Sequence, residues 1–341
     1  MSVTDICKAF FDQDEESSSP VSSTNHWLRL SDEIVLLVFS QLPKQDLVTV
    51  SLVNKRFREL SRDDSLWTEL TLDHADIKQS VVSCRKLVER CKNLASLKIT
   101  NNAEDQRILN IMSVVIRAKD SLRSLEVDSS LKKWTDADMT KLGMMKGLKN
   151  ISFTFDTRYR SGSGLVKLAE LDQLEVLKID VKMNIKGHGE SCRIMSDVFQ
   201  RLKQLKTVDL TYARSDMLFS LASSNPGLKE LRVDNCFDIA DEVIEALSDK
   251  CPALEELKID LFLNEFVPEK LSFPKLKYLD IELATYEVET DVDDTLMKLI
   301  EKLVNLKRLN LRGFYIDDVG VEITEHILRI RNHYPEINFT Y

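Results

Sequence analysis

The stretch LEELKI, Leu254 to Ile259, reads as a short strand led in by a turn. Leu257 and Ile259 alternate with Glu256, Lys258 and Asp260, the two-residue period of a strand with one buried face. Leu254 comes in from the preceding turn. The phrase returns as WTELTL from Trp67, LASLKI from Leu94, LRSLEV from Leu122, LKNISF from Leu148 and LEVLKI from Leu174. It continues as LKTVDL from Leu205, LKELRV from Leu228, LKYLDI from Leu276 and LKRLNL from Leu306. Successive starts lie 27, 28, 26, 26, 31, 23, 26, 22 and 30 residues apart, 239 residues over nine steps, a mean near 26.6. Helical stretches follow several strands: DQRILNIMSVVIRAK from Asp105, DEVIEALSDKC from Asp241 and DVDDTLMKLIEKL from Asp291. In the second, Val243, Ile244 and Leu247 form one apolar stripe, and Pro252 stops the helix. Pro226, Pro274 and Pro335 hold the same place before their strands. One strand and one helix cannot bury their own apolar faces, so neighbouring units must stack.

This is the LxxLxL phrase of leucine-rich repeats, whose periods run about 20–29 residues. The expected fold is an α/β solenoid of about ten units over residues 67–341, a horseshoe with parallel strands on the concave face and helices outside. The stretch NCFDIADEVIEALSDKCPALEELKI, with Cys236 and Cys251, resembles the cysteine-containing repeats of F-box proteins. The Asn or Cys that closes the turn eight residues after the first Leu occurs only as Asn102 and Cys236. Lys182, Phe262 and Phe314 stand there in other units. A regular internal polar ladder is therefore not expected. The last unit, YPEINFTY, starts a strand at Ile337.

Residues 26–66 form a separate helical domain. SDEIVLLVFSQLP, Ser31 to Pro43, holds six consecutive apolar residues from Ile34 to Phe39, which cover the whole circumference of a helix. Ser31 or Asp32 can cap it, Glu33 suits its first turn, and Pro43 ends it. Asp46 can cap a second helix carrying Leu47, Val50, Phe57 and Leu60 on one side, with Val48 and Leu52 on another. About forty residues rarely make a self-sufficient core. Three such side chains left exposed forfeit on the order of 5–9 kcal/mol. A cover is required, and the residues alone leave two open: the first repeats, or a separate protein.

The block resembles an F-box. Leu30 is followed by Asp-Glu and an apolar run, then FSQLP, DL, VSLVNKRFREL and a closing DDSLW at Trp67. With its downstream repeats the chain is similar to the F-box/leucine-rich-repeat substrate receptors of SCF ubiquitin ligases. In that family the F-box docks on a Skp-type adaptor that joins it to a cullin–RING ligase. Ser31 stands where the family usually has Pro, and Phe57 where Trp is common. The resemblance implies adaptor contacts at Leu30, Ile34, Val38, Leu42, Pro43 and Leu47. It implies an F-box core and junction at Phe57, Leu60 and Trp67. Cytoplasm or nucleus is the expected location, and no cofactor is expected.

Composition narrows the function. The 341 residues carry 47 Lys and Arg against 56 Asp and Glu, a net charge of −9, which argues against general nucleic-acid or anionic-membrane binding. No run approaches the roughly 18 apolar residues that span a bilayer. The first residues, MSVTDICKAFFDQDEE, lack the basic start of a secretory signal. Residues 1–25 read as an acidic, Ser-rich leader with little to bury; Ser17, Ser18 and Ser19 are candidate phosphorylation sites. Six cysteines show no CxxC pair, which fits free thiols in a reducing compartment. The five His are scattered, and neither a zinc-protease helix nor a nucleophile motif occurs. RSGSGLVK, Arg160 to Lys167, lacks the spacing of a phosphate loop and reads as a flexible turn before a helix.

A substrate would meet the strand face. The position after the second buried residue of each strand reads Asp73, Thr100, Asp128, Thr154, Asp180, Thr211, Asp234, Asp260, Glu282 and Arg312, six acids in ten. Two positions earlier the column is Thr71, Lys98, Glu126, Ser152, Lys178, Asp209, Arg232, Lys258, Asp280 and Asn310. Either adjacent columns neutralise each other as a solvated face, or the acids attract a basic substrate segment. Two long loops, DVKMNIKGHGESC from Asp180 and ELATYEVETDVDD from Glu282, supply further candidate contacts. Tyr286, Phe314 and Tyr315 join the column as candidates. The expected function is a non-catalytic substrate receptor. A protein-interaction scaffold whose helical block caps the solenoid is the alternative.

Overall fold

The computed structural model describes residues 30–100, 111–128, 134–156, 163–182, 188–234, 239, 241–262, 271–284, 292–312 and 331–340. The chain divides into two compact units, residues 1–133 with 144–148 and residues 134–143 with 149–341.

The first unit opens with α1 (Asp32–Phe39), α2 (Lys44–Ser51) and α3 (Lys55–Ser61), then a 3-10 turn at Asp64–Trp67. β1 (Glu69–Asp73), α4 (His74–Gln79), α5 (Val81–Arg90), β2 (Ser96–Thr100), α6 (Met112–Val115) and β3 (Ser124–Val127) follow. The first helix is shorter than an end at Pro43 predicts. It stops at Phe39, and Gln41 and Leu42 turn back onto the carbonyls of Val38 and Phe39 at 3.1 and 3.0 Å. Pro43 starts the next helix rather than ending the first, as its fixed φ and missing N–H favour. The second expected helix is two helices. Asn54 breaks it, its Oδ1 accepting from the Phe57 N–H at 2.8 Å, because Asn competes with the backbone and caps better than it continues. Asp46 accordingly lies in the first turn of α2 instead of capping. The three strands pair in parallel, with Leu72 beside Ile99 and Ile99 beside Val127.

The second unit contains α7 (Asp136–Gly143), β4 (Asn150–Asp156), a 3-10 helix at Ser163–Glu170, β5 (Val176–Lys182), α8 (His188–Arg201) and β6 (Thr207–Leu210). α9 (Ser215–Ser224), β7 (Glu230–Val233), α10 (Asp241–Lys250), β8 (Glu256–Phe262), β9 (Tyr278–Ala284), α11 (Val292–Lys302), β10 (Arg308–Arg312) and β11 (Asn338–Thr340) complete it. β4 to β11 each pair in parallel with the next strand in sequence. The fold is an α/β leucine-rich-repeat solenoid preceded by a helical block. β11 is one strand more than the ten phrases and arises from YPEINFTY.

The apolar positions of the phrase make the core. Leu254, Leu257 and Ile259 are buried, as are Leu174, Leu177 and Ile179, and the α10 stripe of Val243, Ile244 and Leu247 is buried with them. Each such side chain gains about 1.5–3 kcal/mol on burial. A backbone device sets the register. The carbonyl of the residue before each strand takes two N–H groups from the next unit: Lys229 O accepts from Glu255 and Glu256 at 2.7 and 3.0 Å. A polar link between units sits three residues before the first Leu rather than eight after it. Asn225, buried at the end of α9, accepts from Leu205 N at 3.0 Å and donates to Leu221 O at 3.3 Å.

RSGSGLVK leads into the 3-10 helix, with residues 157–162 outside the described ones. The two candidate loops are shorter than the sequence suggests, because β5 runs on to Lys182 before α8 starts at His188, and β9 runs on to Ala284 before α11 starts at Val292. Cys84, Cys91, Cys192 and Cys251 are free and buried. Burial pushes the thiols of Cys192 and Cys251 up to about 11.

Candidate protein-interaction surfaces

The helical block is closed on one side and open on another. Val35 and Phe39 point inward from α1, and Phe39 meets Phe57 of α3 edge-on with ring centroids 5.3 Å apart. Arg56 of α3 reaches back to α1, donating to Asp32 Oδ1 at 2.6 and 2.9 Å and to the Leu30 carbonyl at 2.5 Å. Trp67 is buried and donates its indole N–H to Ser61 O at 2.8 Å. The Lys44 ammonium stands 5.9 Å over the Trp67 ring and donates to Leu66 O. Burial lowers the Lys44 pKa, with Glu69 and Cys91 acting against it. These contacts join the block to the start of β1.

The open side is apolar. Ile34, Leu37, Leu52 and Val53 are 46, 66, 52 and 61% exposed. They are four of the eight exposed large hydrophobic side chains among the described residues, gathered within twenty positions, and such clustering marks an interaction surface. Of the residues assigned to adaptor contact, Ile34 and Pro43 are exposed, and Leu30, Val38 and Leu42 are half-buried. Leu47 is corrected: it is fully buried, facing inward from α2, and has no surface to offer. Phe57 and Trp67 are buried and Leu60 half-buried. The sequence placed Leu37 in the all-round apolar run and Leu52 on a second apolar side, but neither these nor Val53 were among the expected adaptor contacts. The signal was present, since Leu37 follows Ile34 by three on one helical face and Leu-Val stands just before the Asn54 cap.

On the strand face, three acids of the outer column have described partners. Asp180 accepts from Thr154 Oγ1 at 3.2 Å, Asp234 pairs with Lys258 at 2.6 Å, and Asp73 caps α4 by accepting from Ala75 N at 2.8 Å. Asp128 follows β3, its own N–H bonded to Ile99 O at 2.9 Å. Register places Asp260 beside Glu282 and Glu282 beside Arg312. Asp180 lies in β5 and Asp234 just after β7, with β6 between those strands. Tyr286, Phe314 and Tyr315 lie outside the described residues. A network the sequence did not announce crosses β7 to β11. Glu256 takes Arg232 at 2.9 Å and Arg308 at 3.5 Å, and Arg308 stacks 4.5 Å over the Tyr278 ring. Tyr278 and Asn310 both donate to Asp280 Oδ2 at 3.0 Å, and Thr340 donates to Asn310 at 2.9 Å. Glu256 raises the Arg232 pKa, while burial and Asp280 raise that of Tyr278. Among the described residues no three His, Cys, Asp or Glu side chains gather as metal ligands.

The F-box-like family matches residues 27–73, the whole helical block together with β1. The chain joins an F-box-like region to leucine-rich repeats. An F-box/FBD/LRR-repeat protein of Arabidopsis thaliana is 25% identical over 270 residues, covering 77% of this chain and 56% of the relative. The chain thus spans little more than half the length of that curated relative. In fold it is similar to a chain from the crystal structure of the yeast Rad7 and Elc1 complex, with a TM-score of 0.53 and 15% identity over 94% of this chain and 98% of that one.

Proposed function

We propose that this protein is the substrate-recognition subunit of an SCF-type ubiquitin ligase. Its F-box binds a Skp-type adaptor and through it a cullin–RING ligase, while its repeats hold a protein substrate. It works in the cytoplasm or nucleus and is non-catalytic: the transfer chemistry belongs to other subunits. Its contribution is proximity, since a substrate held near the ubiquitin carrier reacts at a raised effective concentration.

The observation that carries this reading is the exposed set Ile34, Leu37, Leu52 and Val53 within the F-box-like region. The four are about half exposed, so covering them gains about 3–7 kcal/mol gross, set against an association cost of about 4–15 kcal/mol. Further contacts at Leu30, Val38, Leu42 and Pro43 supply the surplus. The scaffold reading draws on the Trp67–Ser61 and Lys44–Leu66 bonds, which tie the block to the turn just before β1. The two readings separate by co-expression with and without a Skp-type adaptor, followed by size-exclusion chromatography. A one-to-one complex with the adaptor supports the receptor. A clean monomer that ignores the adaptor leaves the scaffold.

A further inference from the structure

The residues just before the strands of the second unit form a row of their own. Lys149, Glu175, Lys206, Lys229, Glu255, Lys277 and Lys307 are stacked by the backbone bonds between units, each carbonyl receiving the N–H of the next member: Lys149 O from Glu175, Glu175 O from Lys206, and so on to Lys307 at 2.7–2.9 Å. Neighbouring strands lie about 4.8 Å apart. Five Lys against two Glu give this row a charge of +3 within a chain of −9. Glu175 bridges its neighbours, meeting Lys149 at 3.1 Å and also binding Lys206. Glu255 holds Lys277 at 2.5 Å. Lys206 and Lys277 most strongly keep these two carboxyls below the usual carboxylate range. Lys229 and Lys307 make no ion pair with a described residue, and both are exposed. Like charges on adjacent strands repel, so two Lys–Lys steps, Lys206–Lys229 and Lys277–Lys307, leave positive charge uncompensated.

We infer that this row is a docking surface for a carboxylate-rich segment of a protein partner, laid across the strand starts of the second unit. The inference rests on the receptor reading and names its substrate class. The two Lys–Lys steps are centred three strands apart, about 14 Å, which an extended chain covers in about four residues. Acids four apart in the partner therefore meet both steps, and the residue over Glu255 is uncharged or basic. Asp234 and Asp180 of the outer column are already tied to Lys258 and Thr154, whereas this row holds lysines with no such tie, and there a partner's charge gains most.

The test uses the full chain and fluorescence anisotropy with a labelled peptide carrying Glu four residues apart. The same peptide with Lys for Glu, and a short single-stranded DNA, serve as comparisons. The acidic peptide is expected to bind in preference to both and to be released as salt rises from about 0.05 M to about 0.5 M. The double variant Lys229→Glu with Lys307→Glu is expected to weaken it on the order of tenfold, with Lys229→Gln and Lys307→Gln together intermediate. Both positions are exposed, and unchanged thermal melts confirm the fold. Equal binding by parent and double variant, preference for the Lys peptide, or tighter binding of the DNA overturns the inference. Adaptor co-elution is read on the same samples. Peptide binding without adaptor binding sinks the ligase reading alone, and adaptor binding without peptide binding sinks this inference alone.

Discussion

The indole N–H of Trp67 donates to the backbone carbonyl of Ser61 at 2.8 Å, and Trp67 is only 5% exposed. This bond ties the end of α3 to the turn that precedes β1. Trp67→Ala is expected to destabilise the first unit by about 3–5 kcal/mol, whereas Trp67→Phe, which keeps a ring but orphans the carbonyl, costs about 1–3 kcal/mol. Denaturant melts of the two variants check the order. Equal and small losses would show that the junction contributes little.

Leu37 is the most exposed apolar side chain of α1. Leu37→Asp is expected to abolish co-elution with a Skp-type adaptor while shifting the thermal midpoint hardly at all, since little buried surface is lost. The reverse result, intact adaptor binding with a large stability loss, would make this face an internal one.

Asn225 joins two units by accepting from Leu205 N and donating to Leu221 O, and it is 1% exposed. Asn225→Ala leaves a buried N–H unpaired, so a loss of about 1–3 kcal/mol is expected. Amide hydrogen exchange should show Leu205 losing protection before the strands of distant units do. Unchanged protection there would remove the link from the account.

Cys192 and Cys251 have thiols raised to about 11 by burial. At pH 8 the thiolate fraction at such a pKa is on the order of 10⁻³, against roughly a quarter for an unperturbed thiol near 8.5. Iodoacetamide at pH 8 is expected to spare both in the folded protein and modify both after denaturation, as peptide mass mapping will show. Rapid native labelling of Cys251 would mean that its unit opens readily.

Glu175 and Glu255 have carboxyls held below their usual 4.5 by neighbouring lysines. A depressed carboxyl contributes stability above its unfolded pKa, and that contribution is lost as pH falls through the folded value. The difference in melting temperature between the parent and a Glu175→Gln, Glu255→Gln variant is therefore expected to hold from pH 7 down to the usual 4.5, to shrink below it and to vanish once the pH passes the depressed folded value. Both ion pairs are exposed, so the difference is small at every pH. A gap that widens with acid would contradict the sign.

Much was legible in the sequence, and for particular reasons. Leu257 and Ile259 announced a strand because alternation is local, and ten recurrences announced stacking because a single unit cannot bury itself. Asp32 to Phe39 was legible as a helix but not its length, since the turn at Ser40 to Leu42 is set by the packing of Phe39 on Phe57. The break at Asn54 was missed because the apolar pattern runs through it; one side-chain bond to Phe57 N decided it.

By itself, then, the sequence determined the repeat, the order of strands, the buried positions of each phrase and the helical block before them. Those follow from periods of two and 3.6 and from a repeat length, all properties of short segments. Tertiary structure alone decided that Leu47 turns inward while Leu37, Leu52 and Val53 stay in water, because three helices share one small core. It also decided which charges meet: Lys258 with Asp234, Arg232 and Arg308 on Glu256, and the lysines gathered at the strand starts. Residues some twenty-six apart become neighbours only when parallel strands stack, and electrostatics acts on that distance, not on separation along the chain.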